Sequence, residues 1–343
     1  EAYYGDPLFD DVPFDVLLGG TYNDSRRDLV GPNASSEMRP GDAGTGIPEY
    51  AIGDVAEDNR RALNIGARDV RDLGLGHAHV SDTTHLDAID AEGNMVAATP
   101  SGGWLGSSPV VKGLGFPIGT RGQMFYLNPE RPNALEPRKR PRATLTPSIA
   151  TRNGTPYLAF GTPGGDTQDQ ITLQFFLNFA VFGMDVQNAL DAPMVYTTHF
   201  PSSFYPRQSY PGRMVAEDRI DVVAELEKRG HQVDVIDGWS AGKAMGIHID
   251  VESGIISGGA TSRRRIACCI SSIRSSARLS RTDLSFLDLL VSIHLINCLM
   301  SCASRCIVHS STCSATGSSD GSSRLTMRGG ARRRPSVLRL FLL

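Results

Sequence analysis

Cysteine is absent from residues 1–267; all six cysteines (268, 269, 298, 302, 306 and 313) fall in the last 76 positions of the 343-residue chain. That absence excludes a disulfide framework from the body of the protein. A dominant charge is lacking too. Lys and Arg number 34 against 37 Asp and Glu, and the near balance argues against a nucleic-acid-binding face, which is ordinarily basic. No basic segment followed by an apolar run opens the chain, so no secretory leader pattern is visible, and the compartment stays open. The opening Glu1-Ala-Tyr-Tyr-Gly5 reads as an internal stretch. Long, uniform helical periodicity is also missing. With 36 Gly and 20 Pro, the composition excludes a coiled coil or a simple helical bundle.

What is present divides near residue 270. From Ser271 to Leu343 there are ten Arg, no Lys, only three acidic residues (Asp283, Asp288, Asp320) and 17 Ser. A stretch so unlike the rest rarely shares its core. It reads as a separate Ser/Arg/Cys-rich tail, disordered or the product of out-of-frame or intronic translation. Within it, Leu284–Met300 is apolar but short for a membrane span and holds Asp288, His294 and Asn297. Cys298, Cys302 and Cys306 recur at helical spacing, which suggests metal or lipid as an alternative.

Residues 1–48 are turn-rich, with a short helix expected around Tyr22–Leu29. Residues 54–73 suit a further helix, followed by a flexible lead-in over Gly74–Asp82. At Thr83 the pattern becomes β. Residues 83–90 and Met95–Thr99, joined by Glu92-Gly-Asn94, predict a hairpin whose apolar second arm is buried on both faces. Residues 102–142 read as loop. Thr144–Ala150 and Pro156–Phe160 predict strands around an Asn153-Gly154 turn. Gln170–Phe182 is apolar nearly all round and predicts a helix covered on most sides. A short helix over Asp185–Asp191, an amphipathic one over Ile220–Arg229, and strands at Val233–Ile236, Met245–Val251 and Gly254–Ser257 come next. One further strand between the last two helices completes an α+β pattern of helices on antiparallel sheets.

Three segments carry chemistry. In Asp82-Thr83-Thr84, Thr83 becomes a competent nucleophile if scission of the Asp82–Thr83 bond frees its α-amine. An α-amine titrates near ~7.7–8 and serves as an internal base at neutral pH. Adjacent Gly164 and Gly165, after a strand and before a helix, can aim N–H groups at a developing oxyanion; the alternative is an ordinary turn. Ser101, at the end of the hairpin's second arm, can return to the Thr83 region. Two patterns are weaker. Gly238-Trp-Ser-Ala-Gly242 matches a nucleophile elbow around Ser240, but Lys243–Asp250 alternates like a strand where an elbow needs a helix. His77, His79 and His85 lack acidic or thiol companions at ligand spacing, so no metal is expected.

Several motifs in order resemble the small subunit of gamma-glutamyltransferases (gamma-glutamyltranspeptidases), across roughly residues 83–265. They are Asp82-Thr-Thr-His85, Asp90-Ala-Glu-Gly-Asn94, Val96-Ala-Ala-Thr-Pro-Ser-Gly-Gly-Trp104, Lys139-Arg-Pro141, Leu145-Thr-Pro147, Gly161-Thr-Pro-Gly-Gly165 and Asn188-Ala-Leu-Asp-Ala-Pro193. Tyr3-Tyr4-Gly5-Asp6 and Arg39-Pro-Gly41 resemble the end of the large subunit. The resemblance implies an N-terminal-nucleophile (Ntn) hydrolase with a four-layer αββα sandwich, incomplete here because most of the large subunit is lacking. It implies a precursor cut between Asp82 and Thr83 into a large/small subunit heterodimer, with residues 83–270 as the catalytic region and no cofactor. Thr83 then attacks a γ-glutamyl amide such as that of glutathione, Ser101 is its hydroxyl partner, and Gly164 and Gly165 hold the oxyanion. Gly103, Gln123, Tyr126 and Thr144 fall at substrate-binding positions. At these the chain departs from the family: Gly103 replaces an Asn, Tyr126 an acidic residue that grips the α-amine, and Ala143-Thr144 a serine pair. A cephalosporin acylase-like or oxamate hydrolase-like amidohydrolase is therefore the alternative, as is an inactive gene fragment. The implied loss of large-subunit elements leads us to expect no activity from this chain alone.

Overall fold

The computed structural model describes residues 2–51, 83–90, 92–103, 108–204, 207 and 209–261, together with the backbone of three later strands, 269–274, 325–327 and 337–342. The helix expected over 54–73, the lead-in over Gly74–Asp82 and the apolar segment 284–300 lie outside the described residues.

Two short helices, α1 (Phe14–Leu18) and α2 (Gly20–Arg27), open the chain. The hairpin consists of β1 (Leu86–Ile89) and β2 (Met95–Ala98), turned by Gly93 at φ +85°. Strands β3 (Ser148–Arg152) and β4 (Thr155–Gly161) form the second hairpin, through Asn153-Gly154 with both φ values positive. Helices α3 (Gln168–Ala180) and α4 (Val186–Asp191) come after it, the latter capped by the Asp185 carboxylate accepting from the Asn188 N–H. Then come β5 (Val195–Thr197), β6 (Arg213–Glu217), α5 (Val223–Lys228), β7 (Gln232–Ile236), β8 (Met245–Asp250), β9 (Ile255–Ala260), β10 (Cys269–Arg274), β11 (Leu325–Met327) and β12 (Val337–Leu342).

Strand order is β10-β12-β1-β2 in one sheet, β11-β9-β8-β4-β3 in a second and β5-β6-β7 in a third. The first two sheets face each other. Ile89 meets Ala159, Ile247 and Ile249 between them, with Met95, Ala97 and Ile256 at the margin. The opposite face of the second sheet receives α3 and α4, where Leu158 and Phe160 pack on Ile171, Phe175, Val186 and Leu190. Strand alternation explains the division: Leu158 and Phe160 point to the helices, while Ala159 and Gly161 point to the first sheet. Burying each large side chain of this kind contributes about 1.5–3 kcal/mol. Among the described residues the layers are therefore sheet, sheet, helix, and no helix there is long and apolar enough to cross a membrane.

Four expectations need correction. It is β1, not β2, that is buried along its length; β2 is only half-buried, with Val96 41% exposed. The cause is position, since β1 lies inside the sheet between β12 and β2 whereas β2 forms its edge. Helix α3 is not covered on most sides. Only Gln168, Ile171, Thr172 and Phe175, one stripe at helical spacing, are buried, while Leu173, Val181 and Phe182 stand exposed. The segment at 220–229 forms only the six-residue α5 and buries nothing. Finally, β6 and β7 pair in parallel across α5, a βαβ unit that an all-antiparallel arrangement does not anticipate.

Candidate active site

The hairpin register brings two of the candidate residues together. Leu86 pairs with Ala98, Asp87 with Ala97 and Ala88 with Val96. Continuing this register beyond the strand ends sets 85 opposite 99 and 83 opposite 101. The Thr84 N–H donates to the Pro100 carbonyl at 3.1 Å, so pairing does continue. As a result Thr83 Oγ1 and Ser101 Oγ stand 2.6 Å apart. Asp82 lies outside the described residues.

Beneath this pair is a second cross-strand contact. The His85 imidazole, fully buried, bonds Thr99 Oγ1 through Nδ1 at 2.7 Å and Asp87 Oδ1 through Nε2 at 3.0 Å. With Nε2 donating to the carboxyl group, a neutral ring accepts at Nδ1 from the Thr99 hydroxyl. Burial pushes the Asp87 carboxyl above its ordinary range, opposed by the His85 hydrogen bond. The ring also lies flat against the second sheet: a Cβ on Gly161 would come within 2.3 Å of His85 Cε1. Only glycine fits at that end of β4.

Gly161 leads directly into Thr162-Pro-Gly-Gly165. Gly164 and Gly165 adopt φ values of +148° and +58°, which side chains resist, and deliver the chain to a 3₁₀ turn, Gly165–Thr167, at the head of α3. A chain of contacts joins this loop to the hydroxyl pair. Arg121, in a 3₁₀ turn at Arg121–Met124, donates to Ser101 Oγ, and its guanidinium lies 5.8 Å from the centre of the Phe204 ring. The Phe204 edge would meet a Cβ on Gly165 at 3.2 Å.

A cavity of about 800 Å³ includes Gly165 of the glycine loop in its wall. Its walls include Gly165, Thr144, Arg142, Asp166, Ser203 and Phe200. Asp166 accepts from the Ser203 N–H at 2.9 Å and from Ser202 Oγ at 3.1 Å, and Arg142 donates to Ser203 Oγ at 2.8 Å. Thr144 and Gly165 thus share a cavity to which Thr83 and Ser101 do not contribute walls. Gly103 turns the chain at φ +78° and donates its N–H to Ser108 Oγ at 2.7 Å. Gln123 is exposed in the 3₁₀ turn. Tyr126 is 1% exposed, between the guanidiniums of Arg131 and Arg207 at 4.4 and 4.1 Å from its ring centre. It therefore lies in the packed interior and not on the cavity wall.

The weaker patterns also find places. Ser240 Oγ donates back to the Asp237 carbonyl, and the chain enters β8 soon after, so the segment is a turn between strands. His77 and His79 lie outside the described residues. Among the described residues no group of three or more His, Cys, Asp or Glu is arranged to hold a metal ion.

The profile of the gamma-glutamyltranspeptidases matches residues 1–269. The chain belongs to the gamma-glutamyltranspeptidase family. Its architecture, helices packed on β-sheets, is α+β. Over 186 residues it is 32% identical to a glutathione hydrolase-like YwrD proenzyme of Bacillus subtilis, a match spanning 53% of this chain and 34% of that protein. The solved structure of LmbA2991HD is 45% identical and superposes with a TM-score of 0.62, covering 77% of this chain and 44% of that one. Cephalosporin acylase from Bacillus halodurans is 26% identical with a TM-score of 0.57, covering 76% and 40%. The chain thus spans less than half the length of these relatives.

The His85–Asp87–Thr99 network and Arg121 were not singled out for catalysis by sequence reasoning. A signal for the first existed. His85 and Asp87 alternate on one strand, and the turn at 92–94 fixes the register that brings Thr99 opposite His85. Arg121 carried none, because it lies in a loop joined to the site only by tertiary contact.

Proposed function

We propose that the protein is an N-terminal-threonine amidohydrolase or acyltransferase that cleaves γ-glutamyl amides, of which glutathione is the type, through an acyl-enzyme. The observation that carries this reading is the 2.6 Å contact between Thr83 and Ser101, two hydroxyls held face to face at the head of a buried strand. In the first stage the Thr83 hydroxyl adds to the Asp82 carbonyl. The peptide C–N bond breaks as the ester forms, and the hydroxyl proton passes to the departing nitrogen, which becomes a free α-amine. Water hydrolyses the ester and separates a large-subunit-like part from a small-subunit-like part, which remain together as a heterodimer.

In the second stage that α-amine takes the Thr83 hydroxyl proton, and the oxygen attacks the substrate amide carbonyl. Ser101 orients the attacking oxygen. The oxyanion is received by the N–H groups of Gly164 and Gly165; losing one such donor typically costs about 3 kcal/mol of barrier. The proton passes to the departing amine, leaving an ester on Thr83, and water or an acceptor amine then takes the acyl group. Thr144, Gly103 and Gln123 are the residues assigned to substrate contact in this reading.

A second reading, an amidohydrolase with a non-glutamyl acyl group, is favoured by one observation. Tyr126, aligned where the family carries an acidic residue, is enclosed by two arginines and offers no carboxylate to a substrate ammonium. The test is release of the chromogenic amine from γ-glutamyl-p-nitroanilide beside a denaturing gel. When the chain is assayed together with a relative's large-subunit part, processing and turnover are expected in the wild type and neither in Thr83→Ala; turnover that survives Thr83→Ala refutes the reading. Processing without γ-glutamyl turnover, together with release from a non-glutamyl anilide, selects the second.

A further inference from the structure

We infer that His85 is a positioning residue that holds three separate parts of the reaction centre in one arrangement: the nucleophile strand, the partner strand and the oxyanion loop. The inference rests on the proposed function and deepens it. Each of the three parts is tied to the same ring within a few residues of its reactive atom. Thr83 is two residues before His85 on the strand that carries the imidazole. Ser101 is two residues beyond Thr99, whose hydroxyl meets Nδ1 at 2.7 Å. Gly164 is three residues beyond Gly161, where an added Cβ would collide with the ring at 2.3 Å.

Strand geometry turns these contacts into control of the site. Side chains at 83 and 85 share one face of their strand, and those at 99 and 101 share the matching face of theirs. Thr99–His85 and Thr83–Ser101 are therefore successive rungs of one ladder. Sliding the lower rung moves the upper one by the same amount. The imidazole cannot rotate to accommodate such a slide, because Asp87 holds Nε2 from the far edge at 3.0 Å. All three side chains are buried, so water does not substitute for a lost partner. The ring also fills the space a side chain at 161 would need, which fixes the separation between hairpin and glycine loop. A displacement of about 1 Å in reacting groups can cost about 100-fold in rate.

The bland alternative is that the network merely satisfies buried polar atoms. The two accounts differ in what a small change should do. Thr99→Val keeps the shape of the side chain and removes only the hydroxyl, while Thr99→Ser keeps the hydroxyl. In the full chain, the rate of Asp82–Thr83 scission is followed by mass spectrometry, kcat and KM on a chromogenic amide are measured for the processed protein, and melting temperature is recorded for each variant. Thr99→Val is expected to slow scission and kcat by about 10-fold or more, short of the ~100-fold cost of a full 1 Å displacement. KM should stay within about twofold, and melting should fall by roughly 2–12 °C, as expected when a buried ring nitrogen loses its partner, with both rates read well below the melting transition. Thr99→Ser is expected to restore both rates. His85→Asn, which keeps an amide near the Nδ1 position, should fall between wild type and His85→Ala. Rates unchanged in Thr99→Val while the wild type is processed overturn this inference and leave the functional reading standing. Rates that fall only in step with melting temperature also overturn it. A wild-type chain that is never cut at Thr83 overturns the functional reading and this inference with it.

Discussion

Placing one methyl group on Gly161 tests the packing beneath the site. Gly161 ends β4 with a φ outside the left-handed region, so its backbone alone accepts alanine. At such a position Gly→Ala normally stabilises by about 0.4–1 kcal/mol through the unfolded chain. Here the new Cβ would sit 2.3, 2.7 and 2.8 Å from three atoms of the His85 ring. Ordinary carbon contacts lie near ~3.5–4.0 Å, so the ring must withdraw by roughly 1 Å. Overpacking of this kind costs about 1–3 kcal/mol. The withdrawal also stretches the bonds to Thr99 and Asp87, and a buried polar group left unpaired costs about 1–3 kcal/mol. Gly161→Ala is therefore expected to lose about 3–5 kcal/mol, allowing for partial relaxation. In a His85→Ala background the same methyl enters vacated space, and its cost should drop below about 1 kcal/mol. Chemical denaturation of the four proteins in this cycle measures both quantities. A Gly161→Ala protein as stable as wild type, or a cost that persists without the imidazole, refutes the reasoning.

Core packing and titration supply three more tests. Phe175, fully buried between α3 and the second sheet, should cost about 3–5 kcal/mol on replacement by Ala in a denaturant titration. His248 is packed edge-on against Tyr157 and Phe179, and burial holds its pKa below the ordinary value, with Asp250 opposing and Arg152 adding to the shift. Its contribution to stability is thus complete above about pH 6.5 and declines as pH falls through that value. His248→Phe should flatten the decline in melting temperature over that range. The Asp6 carboxylate, which accepts from both the side chain and the backbone N–H of Arg140, titrates far below the ordinary carboxylate range. Asp6→Asn should be less stable at neutral pH, and the difference should vanish as acid titrates the wild type below about pH 3.9, as melting curves across that range would show.

Local signals carried much of the fold. Asn153-Gly154, Gly93 and the Asp185 cap mark turns and a helix start that need no distant partner, and the structure has them there. Order in the reactive hairpin followed from the same reasoning, because a turn fixes register and register fixes which side chains meet. Coverage was not legible. Helix α3 is apolar on nearly every side, yet what a residue faces depends on the elements that reach it, and here Leu173 on the helix and Phe182 just beyond it stay mostly exposed. Nor could composition decide which hairpin arm lies inside a sheet; β1 carries Asp87, directly follows His85, and is nonetheless the buried one. Polar residues read as surface until their partners are placed, which is why His85, Asp87 and Thr99 look ordinary in sequence. Arg121 depends on a loop path that no periodicity encodes.

Trapping the acyl-enzyme identifies the nucleophilic oxygen directly. The protein is incubated with a slowly deacylating amide, quenched in acid, digested and examined by tandem mass spectrometry. The expected product is a peptide that begins at Thr83 and carries the acyl group as an ester on that residue. An acyl group found instead on Ser101 or Ser240, or on a Thr83 still joined to Asp82, would contradict it.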